Sequence, residues 1–198
     1  MPSDVLILGF DTSAAHCAAA LLRGDAIVAQ TCEEMARGQA ERLLPLLEEV
    51  LAEGGASWSD LDAMGVGIGP GNFTGIRIAV SAARGLAVGL GVPAVGVSGF
   101  DARAKNGTLA AIPAPREHVY ATPPGEDPRL MPLDEAKEIA ATHGLTLAAE
   151  TTPPGIAEAI ARVAAGRFQS ETKAPAPLYL RAADAAPARD APPTLIDG

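Results

Sequence analysis

The stretch from Gly65 to Val97 constrains the fold of this chain more than any other. The apolar run Ala63–Ile68 enters the glycine turn Gly69-Pro70-Gly71-Asn72, a long helical pattern follows from Phe73 to Leu90, and a second apolar run, Ala94–Val97, leaves it. Strand, helix and strand in that order close a parallel pair of strands. Asn72 is placed to cap the helix by accepting a hydrogen bond from one of its first amides. On a helical wheel, Thr74, Arg77, Ser81 and Arg84 share one narrow sector, and the remaining residues are apolar or small over roughly 220°. Covering one face of a sheet takes an apolar stripe of only about 100°. The surplus predicts a second partner for this helix, and Ala79, Ala82, Ala83, Gly85 and Gly89 would let that partner come close.

The rest of the chain supplies a matching frame. Val5–Phe10, Cys17–Leu22 and Ala26–Thr31 read as three strands, the last two joined by Arg23-Gly24-Asp25. Gln39–Glu53 reads as a helix with Pro45 in its second turn and Gly54-Gly55 at its end. Its apolar residues span about 160°, again more than one face needs. The second half repeats the order: Thr108–Ile112, His118–Thr122 and Arg129–Met131 as strands, Leu133–Thr142 as a helix, Leu145–Ala149 as a strand and Gly155–Ala165 as a helix. The repeat lies in element order rather than residue identity. It predicts an α/β chain of two related lobes, 1–100 and a shorter 101–181, with a short strand in Pro175–Arg181. The Ala/Pro-rich tail 182–198 has little to bury.

Composition narrows the function. The 198 residues are 48% hydrophobic and carry a net charge of −9 with 15 basic side chains. Affinity for nucleic acid comes mainly from Lys and Arg on phosphates, so a chain this acidic is a poor grip for RNA by itself. Two cysteines, Cys17 and Cys32, make no disulfide framework and read as small buried side chains. The longest uncharged apolar run, Gly85–Phe100, is broken by Pro93 and too short for a membrane span, and no signal peptide is visible. The expectation is a soluble cytoplasmic protein that does not engage a membrane.

Motifs for chemistry are sparse. His16, His118 and His143 stand alone, without the spacing of a zinc site, so no metal is expected and each reads as an ordinary histidine. No nucleophile elbow surrounds Ser98. The turn Gly69-Pro70-Gly71 is either a phosphate cradle at a helix N-terminus or simply a tight turn; it lacks the lysine of a P-loop and the third glycine of a dinucleotide fingerprint. Asp11-Thr12-Ser13, after the first strand, either orients a metal-bound water or phosphate, or caps its own amides. Asp11, Thr12, Gly69 and Gly71 are therefore the candidates for a vestigial phosphate site, with no bound cofactor expected.

Several segments together resemble the TsaB (YeaZ) family of the bacterial tRNA threonylcarbamoyladenosine machinery: Leu8-Gly-Phe-Asp11-Thr-Ser, Glu41-Arg-Leu-Leu-Pro45, Gly69-Pro-Gly-Asn-Phe-Thr-Gly-Ile-Arg-Ile78, Arg116-Glu-His-Val-Tyr120 and Tyr179-Leu-Arg181. The resemblance implies an actin-like (ASKHA) duplicated fold with a reduced second lobe. It implies a non-catalytic scaffold that dimerises with a TsaD-type threonylcarbamoyltransferase acting on adenosine 37 of tRNAs that read ANN codons. A TsaE-type ATPase completes such a complex, tRNA is met mainly through the partner, and the chain forms homodimers when alone. Gln39 stands where the family often has histidine, and the paired metal histidines of the catalytic relative are absent.

The TsaD-type seam is expected on the two helices with surplus apolar arc: Leu43, Leu46, Leu47 and Val50 on the first, and Ile76, Val80, Ala83 and Ala87 on the second. The alternative from another class is an actin-like ATPase or small-molecule kinase using Asp11.

Overall fold

The computed structural model describes residues 4–149 and 153–180. The first sheet is built from β1 (Leu6–Asp11), β2 (His16–Arg23), β3 (Ala26–Glu34), β4 (Ala63–Gly67) and β5 (Ala94–Val97) in the order β3-β2-β1-β4-β5. β1 pairs antiparallel with β2 and parallel with β4, and β4 pairs parallel with β5. Between these strands lie α1 (Gln39–Glu53) and α2 (Phe73–Leu90), with the bounds that the sequence predicts. Asn72 caps α2 as expected: the Gly75 N–H donates to its Oδ1 at 2.8 Å.

The second sheet contains β6 (Thr108–Ala114), β7 (His118–Ala121), β8 (Arg129–Pro132) and β9 (Thr146–Ala148), with α3 (Leu133–Thr142) before β9. Its order is β8-β7-β6-β9, with β6 antiparallel to β7 and parallel to β9. Writing β6 for β1, β7 for β2, β8 for β3 and β9 for β4 turns one topology into the other, strand senses included. The chain therefore has the duplicated, actin-like α/β architecture. The second lobe is reduced: among the described residues nothing takes the place of β5.

Strand alternation divides the first sheet into two packed faces. Leu6, Leu8 and Phe10 of β1, Cys17, Ala19 and Leu21 of β2, and Met64 and Val66 of β4 point toward α1 and α2. Ile7, Ala18, Ala20, Leu22 and Ala63 point the other way, and that face is covered by α4 (Pro153–Arg167) through Ile156, Ala157, Ile160, Ala161 and Ala164. α4 follows the second lobe in sequence but packs on the first sheet. Gly9 and Gly65 explain how it comes so close. They are paired in register on β1 and β4. A Cβ on Gly9 would stand 2.5 Å from the Ala157 carbonyl oxygen, and one on Gly65 would stand 2.9 Å from that of Ile160. Strand glycines of this kind mark a close backbone approach.

α2 alone among the described helices has the length and mean hydropathy (1.3) of a membrane span. Its Ile76, Ala79, Val80 and Ala83 are built into the sheet core. The predicted strand in Pro175–Arg181 does not form over its described part: Leu178 N–H donates once to the Ile68 carbonyl, at 2.8 Å, and no ladder follows. Arg181 and the tail 182–198 lie outside the described residues.

Candidate functional site

Two places carry the candidate residues: a cavity where the lobes meet, and the outer face of α1 and α2. The cavity lies beyond the carboxyl ends of β1 and β4, where open α/β sheets collect ligands. β1 delivers Asp11, and the return into β2 brings Ser13 and His16 back over it. One carboxylate oxygen, Oδ1, takes three donors: the Ser13 N–H at 3.0 Å, the Ser13 hydroxyl at 2.9 Å and the His16 Nε2–H at 2.8 Å. Asp11 is only 2% exposed and His16 only 7%. The sequence spacing of His16 makes it an ordinary histidine; the structure makes it a buried partner of Asp11. An Asp near the end of one strand and a His at the start of the next, joined by a short turn, was the available signal.

The two motif turns are bound to each other. Asn72 N–H donates to the Ser13 carbonyl at 2.6 Å, and the Thr12 hydroxyl donates to the Gly75 carbonyl at 2.6 Å. Gly71 and Gly75 are needed because a Cβ on either would collide with the Ser13 or Thr12 backbone. Thr12, fully buried, is thus a tie between β1 and α2 rather than a wall of the cavity. Gly69 and Gly71 do line the cavity beside Asp11. Three amides at the turn, those of Asn72, Gly75 and Ile76, already donate within the protein.

The far walls come from distant sequence. Ile112 and Pro113 arrive on β6, Ile156 and Ile160 on α4, and Arg103 on the 3₁₀ turn Asp101–Arg103. The enclosed volume is about 190 Å³. Arg103 donates from Nη1 to the Gly99 carbonyl at 3.0 Å, while its Nε–H is buried without a partner among the described residues. Burial pulls the guanidinium pKa below its ordinary value, and the charge of Asp11 opposes that shift. Asp101 fixes the joint to α4. It accepts two hydrogen bonds from Arg167, at 3.2 and 3.0 Å, and one from the Ser98 hydroxyl at 2.8 Å. Burial alone would raise the Asp101 pKa, but these bonds outweigh it and hold the carboxyl below its usual range. Among the described residues no group of three or more His, Cys, Asp or Glu is arranged to hold a metal ion.

The helix face requires a correction. Leu43, Leu46, Leu47, Val50, Ile76, Val80 and Ala83 are each 3% exposed or less and belong to the core between the helices and the sheet. Only Ala87, of the eight residues expected at the seam, is partly open. α1 and α2 pack on the sheet and beside each other, which buries the centre of each apolar arc within the chain and leaves part of the α2 arc open. What faces outward is Leu44 on α1, 45% exposed, and Val88 on α2, 86% exposed. Gly85 and Gly89 flank Val88, and a Cβ at either meets nothing within 4 Å. At the start of α2, Arg77 stacks over Phe73 at 3.8 Å, and its Nε–H donates to the Tyr179 hydroxyl at 2.8 Å.

Comparison with known proteins follows from this geometry. The family model for TsaD, tRNA N6-adenosine threonylcarbamoyltransferase, matches residues 29–123. The Escherichia coli tRNA threonylcarbamoyladenosine biosynthesis protein TsaB is 39% identical over 122 residues, which is 58% of this chain and 52% of that protein. The Haemophilus influenzae protein of the same name is 35% identical over 126 residues, 59% of this chain and 52% of that one. The chain spans about half the length of these curated relatives. An uncharacterised protein of Mycobacterium tuberculosis is 30% identical over 198 residues, covering 91% of this chain and 94% of its own. In structure, YeaZ from Pseudomonas aeruginosa aligns with a TM-score of 0.67 and 26% identity, over 89% of this chain and the whole of that one. Local sequence identity to TsaB and near-complete structural overlap with YeaZ agree with the motif turns described above, and mark the chain as similar to the TsaB (YeaZ) family.

Proposed function

We propose that this chain is a non-catalytic scaffold subunit for threonylcarbamoylation of adenosine 37 in tRNAs that read ANN codons. It would pair with a TsaD-type transferase through the outer face of α1 and α2 in the first lobe, residues 1–100, with a TsaE-type ATPase joining the complex. The observation that carries the reading is that α1 and α2 each present an exposed large apolar side chain, Leu44 and Val88, with open space at Gly85 and Gly89 on either side of Val88 for close helix approach. Apolar area withdrawn there would drive association. The net charge of −9 leaves tRNA phosphates to the partner. The rival reading, a kinase or ATPase using Asp11, is disfavoured by a cavity of about 190 Å³, below the ~300–1,000 Å³ that encloses drug-sized ligands.

Light scattering of the full chain, alone and mixed with the same organism's TsaD-type protein, tests the proposal. A homodimer replaced by a one-to-one complex is expected. Val88→Glu should weaken that complex by about tenfold or more and leave the melting temperature unchanged, because Val88 is 86% exposed. Two unmixed species, with nucleotide and the ATPase also present, would overturn the pairing.

A further inference from the structure

The cavity between the lobes holds two unspent polar groups of opposite sign. A guanidinium has five N–H donors; Arg103 uses Nη1 on Gly99, and its buried Nε–H reaches no acceptor among the described residues. A charged donor withdrawn from water without a partner is costly, more so than a typical hydrogen bond is worth. In the same cavity, every donor to Asp11 among the described residues converges on Oδ1. Its Oδ2 accepts from no described residue, and the missing side chain of Gly67 makes room for it. Ser13 and His16 line the wall beside Asp11, and the rest is apolar, chiefly Val97, Ile112, Ile156 and Ile160.

We propose that this cavity binds a free α-amino acid with a short side chain. Its carboxylate would meet Arg103, its ammonium Asp11 Oδ2, and its side chain the isoleucines. The chemistry selects against the obvious competitors. Inorganic phosphate would satisfy Arg103 but face the Asp11 carboxylate, a like charge. A nucleotide exceeds the volume of about 190 Å³. A simple amine would leave Arg103 unpaired. The site is separate from the partner surface: Leu44, Gly85, Val88 and Gly89 do not line it, so either proposal can fail while the other stands.

Calorimetric titration of the full chain tests it with L-valine, isobutylamine (valine without its carboxylate) and isovalerate (valine without its ammonium). L-Valine or L-serine is expected to bind with a Kd of about 1 mM or tighter. Each truncated analogue of valine should bind about tenfold or more weakly, since each forfeits a charge-assisted hydrogen bond. Arg103→Met should weaken L-valine by the same factor. Ile112→Trp, which fills the cavity and keeps both charged residues, should abolish binding while circular dichroism stays native. No heat from either amino acid, or isovalerate or phosphate binding as well as L-valine, overturns the proposal. The analogue series is run on the unaltered chain, so the outcome does not depend on a variant folding.

Discussion

Gly9→Ala adds one methyl group and should nonetheless be among the most damaging small changes in this protein. The new Cβ would lie 2.5 Å from the Ala157 carbonyl oxygen, 2.6 Å from the Ala161 nitrogen and 2.8 Å from the Ala161 Cβ. All three belong to α4, and two are backbone atoms that no rotamer change can move. Ordinary contact begins near 3.4 Å, so α4 must withdraw by about 1 Å, which forfeits a quarter to a half of its packing energy. The face at risk contains Ile156, Ile160 and the alanines at 157, 161 and 164. At about 1.5–3 kcal/mol per buried Ile and ~0.8 per methyl, that face contributes roughly 5–8 kcal/mol. The loss is then about 1–4 kcal/mol, offset by about 0.4–1 kcal/mol because alanine narrows the unfolded ensemble. Thermal unfolding should show a lowered melting temperature, at about 2–4 °C for each kcal/mol of net loss in a chain of this length. Gly85→Ala is the matched control. It lies inside α2 with open space around its Cβ, so helix propensity alone should stabilise by about 0.5–1 kcal/mol. The reasoning is refuted if the two substitutions shift the melting temperature in the same direction.

Other consequences are checked more simply. Leu46→Glu, in contrast to Val88→Glu, should unfold the chain outright, read as lost far-ultraviolet dichroism, since Leu46 is fully buried and an unpaired buried carboxylate has no compensation. Burial, with Glu33 nearby, pushes the Cys17 thiol up to about 12 from 9.0. Native protein should therefore resist alkylation at Cys17, and its contribution to stability, full below about pH 9, should be lost as pH rises toward about 12, measurable by urea melts across that range. Arg167→Met should cost about 1 kcal/mol or less, the pair being substantially exposed. Because the Asp101 carboxyl is held below its ordinary value, that difference should be present at neutral pH and disappear as pH falls below about 4.

Local pattern made much of the fold legible. The strands, both long helices and the Asn72 cap follow from periodicity and capping chemistry, and the repeated element order announced the duplication that strand pairing bears out. The faces of the helices were harder. An apolar arc records how much of a helix is covered, not by what; Leu43 and Val80 look alike whether a sheet or another protein covers them. The destination of α4 was also hidden, although Gly9 and Gly65, breaks in otherwise apolar strands, were its trace. The cavity was half legible. Asp11, Gly69 and Gly71 stand in recognisable turns, whereas Arg103, Ile112 and Ile160 come from three further elements that only the tertiary fold brings together. Nothing in their neighbourhoods singles them out.

The return of α4 to the first sheet also sets the timetable by which this protein can be made. All five strands of that sheet have been synthesised by Val97, and α1 and α2 can already cover one of its faces. The other face, including Ile7, Leu22, Val95 and Val97, has no cover until Ile156 to Ala165 have followed. At about 5–20 residues per second, a nascent chain carries that bare sheet for several seconds. During that interval it is the kind of surface on which chaperones act and on which two half-made chains can join by mistake.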